Sequence, residues 1–133
     1  MLDQINLLIV DDTTFMRKKI VSFLVDNGFD EASIQEAENG SDALALLAQD
    51  NSYDLIISDL NMPRTNGLEF LRKIRGSTNE RIKNFKFILL TTDSEKEKII
   101  EAVKLKANGY VLKSLLESKL LPEIQRVLEI QRK

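Results

Sequence analysis

Four short apolar runs along the chain each lead into polar side chains. The runs occupy residues 7–10, 55–57, 87–90 and 110–112, and they lead to Asp11 and Asp12, to Asp59, to Thr91 and to Lys113. An apolar run without polar alternation predicts a strand that is covered on both faces, as strands of a parallel sheet are. Because the carboxyl ends of parallel strands share one edge of a sheet, the sequence predicts that these polar side chains lie near one another.

The segments between these runs carry apolar residues at helical spacing. Helices are predicted over residues 13–27, 40–51, 68–75 and 94–107, and a last helix begins close to Pro122 or is kinked there, since proline is tolerated only in a first turn. A weaker strand is predicted at 34–37, and residues 76–84 are predicted to be a polar connection. Strand and helix therefore alternate five times. This pattern predicts one α/β domain over residues 1–133, a doubly wound five-stranded parallel sheet with five helices.

Composition narrows the chemistry of this domain. The 133 residues fit one domain with a sizeable core, and the net charge of −2 argues against nucleic-acid binding. The absence of cysteine and histidine excludes disulfides, thiolate metal sites and histidine-based catalysis. The first residues lack a basic leader, and the longest apolar run, 43–48, is too short to cross a membrane. We therefore expect a cytoplasmic protein without membrane insertion.

Three carboxylates form a cluster if the first and third strands are neighbours. Asp11, Asp12 and Asp59 would then repel one another, and a divalent cation would relieve that repulsion. Mg²⁺ is the natural cation, with Mn²⁺ as a substitute, because these ions favour oxygen ligands and the chain lacks His and Cys. The backbone carbonyl of Asn61 offers a further oxygen.

A carboxylate beside such a cation is also a potential nucleophile toward phosphorus, since aspartyl phosphates are established intermediates. Phosphoryl transfer needs charge neutralisation around the transferred group and little else. Lys113 supplies a point charge for this purpose. The hydroxyl of Thr91 or of Thr92 supplies a hydrogen-bond donor.

Each of these residues also has a simpler explanation when it is taken alone. Asp11 and Asp12 are suited to capping the first helix. Asp59 is suited to forming a turn, Thr91 to capping one, and Lys113 to a solvated surface. These explanations weaken together, because each must place its residue at the same sheet edge by chance.

The same positions, over nearly the whole chain, resemble the receiver domain of bacterial response regulators. The segments 57–63, 28–29 and 109–111 are similar to those of single-domain chemotaxis regulators in that family. The resemblance implies a flavodoxin-like sheet with strand order 2-1-3-4-5. It also implies a two-component phosphoacceptor, which takes a phosphoryl group from the phosphohistidine of a histidine kinase or of a histidine phosphotransfer protein.

The resemblance assigns a role to each site residue. Asp59 matches the phosphorylated aspartate, and Lys113 matches the lysine that pairs with the phosphoryl group. Asp12 and Asp59 match direct magnesium ligands. Asp11 matches a ligand that acts through water, and Asn61 one that acts through its backbone carbonyl.

The resemblance also implies a switch. Thr91, rather than Thr92, matches the switch hydroxyl, and Tyr110 matches the aromatic residue that rotates inward when the threonine moves toward the phosphoryl group. The face that changes would comprise the predicted helix 94–107, the last strand and the last helix. A downstream protein, such as a flagellar motor switch or another signalling protein, would bind there. The residues predicted to meet it are Lys96, Ile99, Tyr110 and Leu112. The chain would act as a monomer without an output domain.

Two departures from the family pattern bear on these expectations. Ser114 follows Lys113 where the family commonly has a proline in a cis bond, and a cis bond before a non-proline residue costs about 3 kcal/mol. Glu123 places an acid where chemotaxis relatives tend to carry a base, which weakens the case for a flagellar-motor partner.

Two polar residues bear on the lifetime of the phosphoryl group. Asn61 and Asp93 lie two positions beyond the phosphoacceptor and the switch threonine. Their polar groups suit an attacking water, so we expect a short phosphoryl lifetime.

Other functions fit parts of the same pattern. Within the family, the alternatives are a phosphorelay intermediate and a pseudo-receiver that only binds partners. A magnesium-dependent phosphatase also uses a nucleophilic aspartate after a strand, but it needs a second acid, for which Asp93 is the one spare candidate, and a substrate-covering cap. A chain of 133 residues leaves no room for that cap. As a receiver, the protein would be a regulator rather than an enzyme, catalysing only its own phosphorylation and dephosphorylation.

Overall fold

Five parallel strands form one sheet, in the order β2-β1-β3-β4-β5, in a computed structural model that describes residues 2–50, 52–62, 66–92 and 95–130. The strands are β1 (Leu7–Val10), β2 (Ile34–Ala37), β3 (Leu55–Asp59), β4 (Lys86–Thr91) and β5 (Gly109–Leu112). Neighbouring strands are parallel throughout. The predicted fold class and strand order are confirmed.

In the part of the chain that the structure describes, six α-helices connect and cover these strands. They are α1 (Thr14–Asp26), α2 (Gly40–Gln49), α3 (Gly67–Arg75), α4 (Glu80–Lys83), α5 (Lys96–Lys104) and α6 (Leu116–Val127). Short 3-10 helices occupy Leu2–Gln4, Glu31–Ser33 and Lys113–Leu115. The prediction of five helices was one short, because the single turn α4 lies inside the segment 76–84 that was predicted to be a connection.

The sheet separates two apolar layers, because successive side chains of a strand point to opposite faces. On one face, residues such as Leu8 and Ile56 pack with buried residues of α2 and α3 and with Ala102 of α5. On the other face, residues such as Leu7 and Ile57 pack with buried residues of α1 and α6. All four residues of β1 and all five of β3 are buried, as the unbroken apolar runs predict.

Side chains at the helix starts fix where the polar loops end. The Thr13 hydroxyl accepts a hydrogen bond from the Met16 N–H, and Asn66 accepts one from the Glu69 N–H. These caps satisfy backbone donors that have no partner within the helix. At the other end of α1, Gly28 follows the cap residue Asn27 with a φ of 103°, which favours glycine. The loops that carry the polar residues are therefore anchored at defined points.

Two helix predictions are corrected. The alternative that the last helix begins near Pro122 is wrong, because α6 begins at Leu116 and Pro122 lies inside it, while the kink predicted as the other alternative stays a prediction. Leu116 and Leu120 are buried at 2% and 0% exposure and extend the core contact of α6 by more than one turn. Proline removes one backbone donor, and this burial outweighs that loss. The helix predicted over 94–107 is shorter, since α5 ends at Lys104. Asn51 and Ser94, which the predicted helices 40–51 and 94–107 include, lie outside the described residues, as does Gln131 after the last helix.

Candidate functional site

Three carboxylates meet at the carboxyl ends of β1 and β3. The two strands pair directly, with Val10 opposite Ser58, so Asp11 and Asp12 follow β1 next to Asp59, the last residue of β3. One carboxylate oxygen from each of the three residues lies within 4.8 Å of the others. Asp11 and Asp59 are buried, and Asp12 is exposed. The predicted acidic cluster therefore forms, with one side open to solvent.

The bonding of Asp11 leaves one oxygen for a cation. Its Oδ1 accepts hydrogen bonds from the Thr13 N–H at 2.9 Å and from the Thr13 hydroxyl at 3.1 Å. Its Oδ2 is buried and has no hydrogen-bond partner in the described part of the chain. A buried carboxylate oxygen without a partner is costly unless a cation neutralises it. This orphaned oxygen, beside two further carboxylates, fits a hard divalent ion that prefers oxygen ligands.

Lys113 places its ammonium group against the cluster. Its Nζ lies 3.0 Å from Asp59 Oδ1 and 3.9 Å from Asp11 Oδ2. No cis peptide bond occurs among the described residues, so the bond between Lys113 and Ser114 is trans. Burial raises the pKa of Asp59 above its ordinary value, and the Asp11 carboxylate adds to this, while the Lys113 ammonium opposes it. Because the pKa of Asp59 is raised overall, the Lys113 ammonium only partly offsets the cost of keeping this buried carboxylate charged.

Thr91 is the last residue of β4, and it is 1% exposed. Its hydroxyl donates to the backbone carbonyl of Thr92 at 3.3 Å. Tyr110, on the adjacent strand β5, is turned outward with 46% of its surface exposed. The two predicted switch residues thus lie on neighbouring strands, the threonine inside and the tyrosine outside. Thr92 is exposed, in keeping with the choice of Thr91.

Asn61 connects the end of β3 to the start of α5. Its backbone N–H donates to Asp59 Oδ1 at 3.3 Å. Its side-chain amide donates to Glu95 Oε1 at 2.8 Å, and its side-chain oxygen accepts from Lys98 Nζ at 3.3 Å. The Asn61 side chain that was expected to orient a water is therefore engaged by α5. Asp93, expected to share that role, lies outside the described residues.

The residues predicted to meet a partner lie on α5 and β5. Lys96 is exposed and Ile99 is half-buried on α5, while Leu112 is half-buried at the end of β5. Larger exposed apolar surfaces lie beside them. Ile100 and Val103 of α5 are 58% and 59% exposed, respectively. These two residues belong to the apolar spacing that predicted the helix, yet they face solvent.

Two residues that position the site were not predicted as part of it. The Arg17 guanidinium donates to the Asp11 carbonyl at 2.6 Å and to Glu36 Oε1 at 3.1 Å, which fixes the loop after β1. Gly67 packs against the backbone of Asp59, where a Cβ atom would lie 2.5 Å from the Asp59 carbonyl oxygen. The sequence marks Gly67 only as a turn residue. The position of Arg17 in the sequence does not indicate that its guanidinium reaches back to the Asp11 carbonyl.

Comparisons with known proteins agree with this geometry. The family model described as the response regulator receiver domain matches residues 7–125. The chain is 36% identical to the chemotaxis protein CheY of Pseudomonas aeruginosa over 92% of this chain and 95% of that protein. It is 34% identical to a CheY homolog of Campylobacter jejuni over 92% of this chain and 91% of that one. A solved structure of CheY4 from Vibrio cholerae superposes with a TM-score of 0.80 at 32% identity, covering 92% of this chain and 98% of that chain.

These matches define the class of protein. The chain belongs to the response regulator receiver family. Within that family, its similarity is to CheY-like chemotaxis proteins. Within residues 2–50, 52–62, 66–92 and 95–130, no helix is both long and apolar enough to span a bilayer.

Proposed function

We propose that the chain is a phosphoacceptor switch of a two-component system, phosphorylated on Asp59. The observation that carries this proposal is the position of the Asp59 carboxylate, which is buried in a three-carboxylate cluster and lies 3.0 Å from the Lys113 ammonium. Membership of the receiver family supports a regulator rather than an enzyme acting on outside substrates.

The reaction is a transfer of a phosphoryl group from a phosphohistidine to Asp59. A carboxylate oxygen of Asp59 forms the new O–P bond while the P–N bond to the donor imidazole breaks, and the imidazole leaves with the electron pair of that bond. Lys113 neutralises charge on the transferred oxygens. Asp12 and Asp59 would hold Mg²⁺ directly, with Asp11 acting through water and Asn61 through its carbonyl. When bound, the ion supplies further charge neutralisation at the same oxygens.

Phosphorylation would change the surface at the far side of β4 and β5. A phosphoryl group adds negative charge and three acceptor oxygens at Asp59. The Thr91 hydroxyl, which donates to a backbone carbonyl in this structure, would turn to donate to one of these oxygens. The space that it leaves would admit the Tyr110 ring, which is exposed at present. Packed elements have discrete alternative arrangements, so this movement would select a second arrangement of α5 and β5.

The partner surface in this proposal is the α5–β5–α6 face, where Val103 and Tyr110 line one cavity and Tyr110 and Leu115 line a second one. All three are exposed apolar residues. Lys96, Ile99 and Leu112 flank it. A patch of this kind on a small protein marks an interaction site. The CheY relatives favour a chemotaxis protein as the partner. Glu123 pairs with Arg126 at 2.8 Å on the α6 side of this face, where both residues line the cavity beside Tyr110.

The experiment that tests the proposal is intact mass spectrometry after incubation with Mg²⁺ and a small phosphodonor. The expected result is a gain of one phosphoryl group that is lost without Mg²⁺ and in the Asp59→Asn variant. An isosteric control, Asp42→Asn, alters a carboxylate on α2 and should leave the gain unchanged. A chain that gains no phosphoryl group under any of these conditions would instead be a partner-binding pseudo-receiver.

A further inference from the structure

Three side chains form a closed ring beside the acidic cluster. The Asn61 amide donates to Glu95 Oε1 at 2.8 Å, and Lys98 Nζ donates to Asn61 Oδ1 at 3.3 Å. Lys98 Nζ also lies 3.3 Å from Glu95 Oε2, which closes the ring. The hydrogen bond from Asn61 is the main cause that holds the pKa of Glu95 below its ordinary value. We call this cluster the Asn61–Glu95–Lys98 ring.

The ring lies on a continuous path of hydrogen bonds between the phosphoacceptor and the switch threonine. At one end, the Asn61 N–H donates to Asp59 Oδ1 at 3.3 Å. At the other end, the Glu95 N–H donates to the Thr92 carbonyl at 3.2 Å. The same carbonyl accepts the Thr91 hydroxyl at 3.3 Å. Movement of the Thr91 hydroxyl toward Asp59 therefore breaks a hydrogen bond to the same carbonyl that accepts from the Glu95 N–H.

We propose that the Asn61–Glu95–Lys98 ring is a latch that stabilises the unphosphorylated arrangement of Thr91 and α5, with Glu95 and Lys98 as positioning residues for the switch. This inference rests on the proposed phosphorylation of Asp59. The ring fixes the first turn of α5 to the loop after β3, and it occupies the Asn61 amide. Opening it releases both groups, so the latch opposes the phosphorylated state.

The expected effect of the latch is modest, because Asn61 and Lys98 are exposed and Glu95 is only half-buried. The Lys98 and Glu95 side chains are 49% and 17% exposed. Partly exposed ion pairs contribute little free energy, and a change of that size in a two-state equilibrium corresponds to a shift of roughly two- to fivefold.

The first test measures the rate of phosphoryl gain by intact mass with saturating Mg²⁺ and a small anionic phosphodonor. The latch predicts that Glu95→Gln and Lys98→Gln both accelerate the gain, by roughly two- to fivefold. Simple attraction of the donor by local charge predicts opposite directions for the two variants, since one removes a negative charge and the other a positive one. Glu97→Gln is the matched control, because it removes a carboxylate from an exposed position of the same helix and should leave the rate unchanged.

Rates equal to that of the parent chain in both ring variants, or opposite changes, would overturn the latch and leave the proposed function intact. A parent chain that gains no phosphoryl group would instead overturn the proposed function. The second test does not depend on phosphorylation. In NMR spectra of the unphosphorylated protein, the Asn61 side-chain amide protons should shift and exchange faster in Glu95→Gln but not in Glu97→Gln. If Glu95→Gln leaves these protons unchanged, the ring does not form and the latch is excluded.

Discussion

Two helices of equal length on the same face of the sheet differ sharply in how they are packed. α3 and α5 each have nine residues, and α3 buries five of them, whereas Ala102 alone is buried among the nine of α5. The buried residues of α3 are Gly67, Leu68, Phe70, Leu71 and Ile74. Polar contacts hold α5 instead, including the Asn61–Glu95–Lys98 ring and an ion pair of 2.9 Å between Arg72 and Glu101. A helix held by polar contacts can change position at a lower cost than one held by a core.

This difference in packing fits the proposed function, in which α3 holds Asp59 in place and α5 changes position. α3 begins at the glycine that packs against the backbone of Asp59, so in the proposed function it would hold the phosphoacceptor in place. α5 begins beyond Thr91 and exposes two large apolar residues, so in the same proposal it would carry the output surface. Segments that move in regulation are drawn from the less stable parts of a fold.

Truncation of the α3 core should produce the largest loss of stability. Phe70 is fully buried and packs against Phe87 with ring centroids 5.6 Å apart. Phe70→Ala should lower the free energy of unfolding by about 3–5 kcal/mol, because it removes buried surface and leaves a cavity. Urea denaturation measures this change. Phe15→Ala is the matched control, since Phe15 is 79% exposed, and it should change stability by less than about 0.5 kcal/mol. Equal losses of unfolding free energy in Phe70→Ala and Phe15→Ala would contradict the claim that a buried core holds α3.

A methyl group at the start of α3 should disturb both the fold and the phosphoacceptor. Gly67→Ala forces its Cβ against the Asp59 carbonyl oxygen, at 2.5 Å in the unrelaxed structure. We expect a loss of about 1–3 kcal/mol, as in other overpacked sites, together with slower phosphoryl gain by intact mass. Gly76→Ala places a Cβ at the other end of the same helix, 3.3 Å from the Arg72 carbonyl oxygen. It should cost less and leave the phosphorylation rate unchanged, and the reverse order would show that Gly67 has no special role.

Neutralising the phosphoacceptor should raise stability in metal-free buffer. Burial raises the pKa of Asp59, so the charged form is disfavoured in the folded protein, and this costs stability at pH values above the ordinary pKa of an aspartate. Asp59→Asn removes that charge. Its thermal midpoint in buffer with a chelator should exceed that of the parent chain by a few degrees, and Mg²⁺ should stabilise it less than it stabilises the parent. A lower midpoint in metal-free buffer would show that the contact with Lys113 dominates.

The smallest change in stability is expected on α5. Val103 is 59% exposed, so Val103→Ala removes little buried surface, and alanine favours helix formation. The free energy of unfolding should change by less than about 0.5 kcal/mol in urea denaturation. Binding of the partner to the phosphorylated protein should weaken nonetheless. A loss of stability comparable to that of Phe70→Ala would mean that α5 is as firmly packed as α3.

Much of the fold could be predicted because buried parallel strands have a simple signature. The strands β1, β3 and β4 end within two residues of the predicted apolar runs, and the polar residue at the end of each lies at the same sheet edge. Side chains that follow a buried strand have few other places to lie. This is why Asp11, Asp59 and Thr91 could be placed together from the sequence.

Other features depend on contacts that periodicity does not encode. The four residues of α4 are too few to show a helical period, and the buried leucines before Pro122 outweigh the local effect of that proline. Apolar spacing predicts α5 but does not tell whether its apolar residues meet the core or solvent. The pairing of Asn61 with Glu95 joins residues far apart in sequence, and only the folded sheet brings them together.

The most direct test of the proposed switch compares amide hydrogen exchange in α3 with that in α5. Mg²⁺ and excess phosphodonor maintain the phosphorylated state during the measurement. The Asp59→Asn variant is treated identically as the control. We predict that exchange in α5 and β5 changes in the phosphorylated chain and that the buried turn of α3 exchanges at an unchanged rate. In Asp59→Asn, exchange should change in neither helix. A chain that carries the phosphoryl group on Asp59 and yet shows identical exchange in α5 would contradict the claim that this helix transmits the signal.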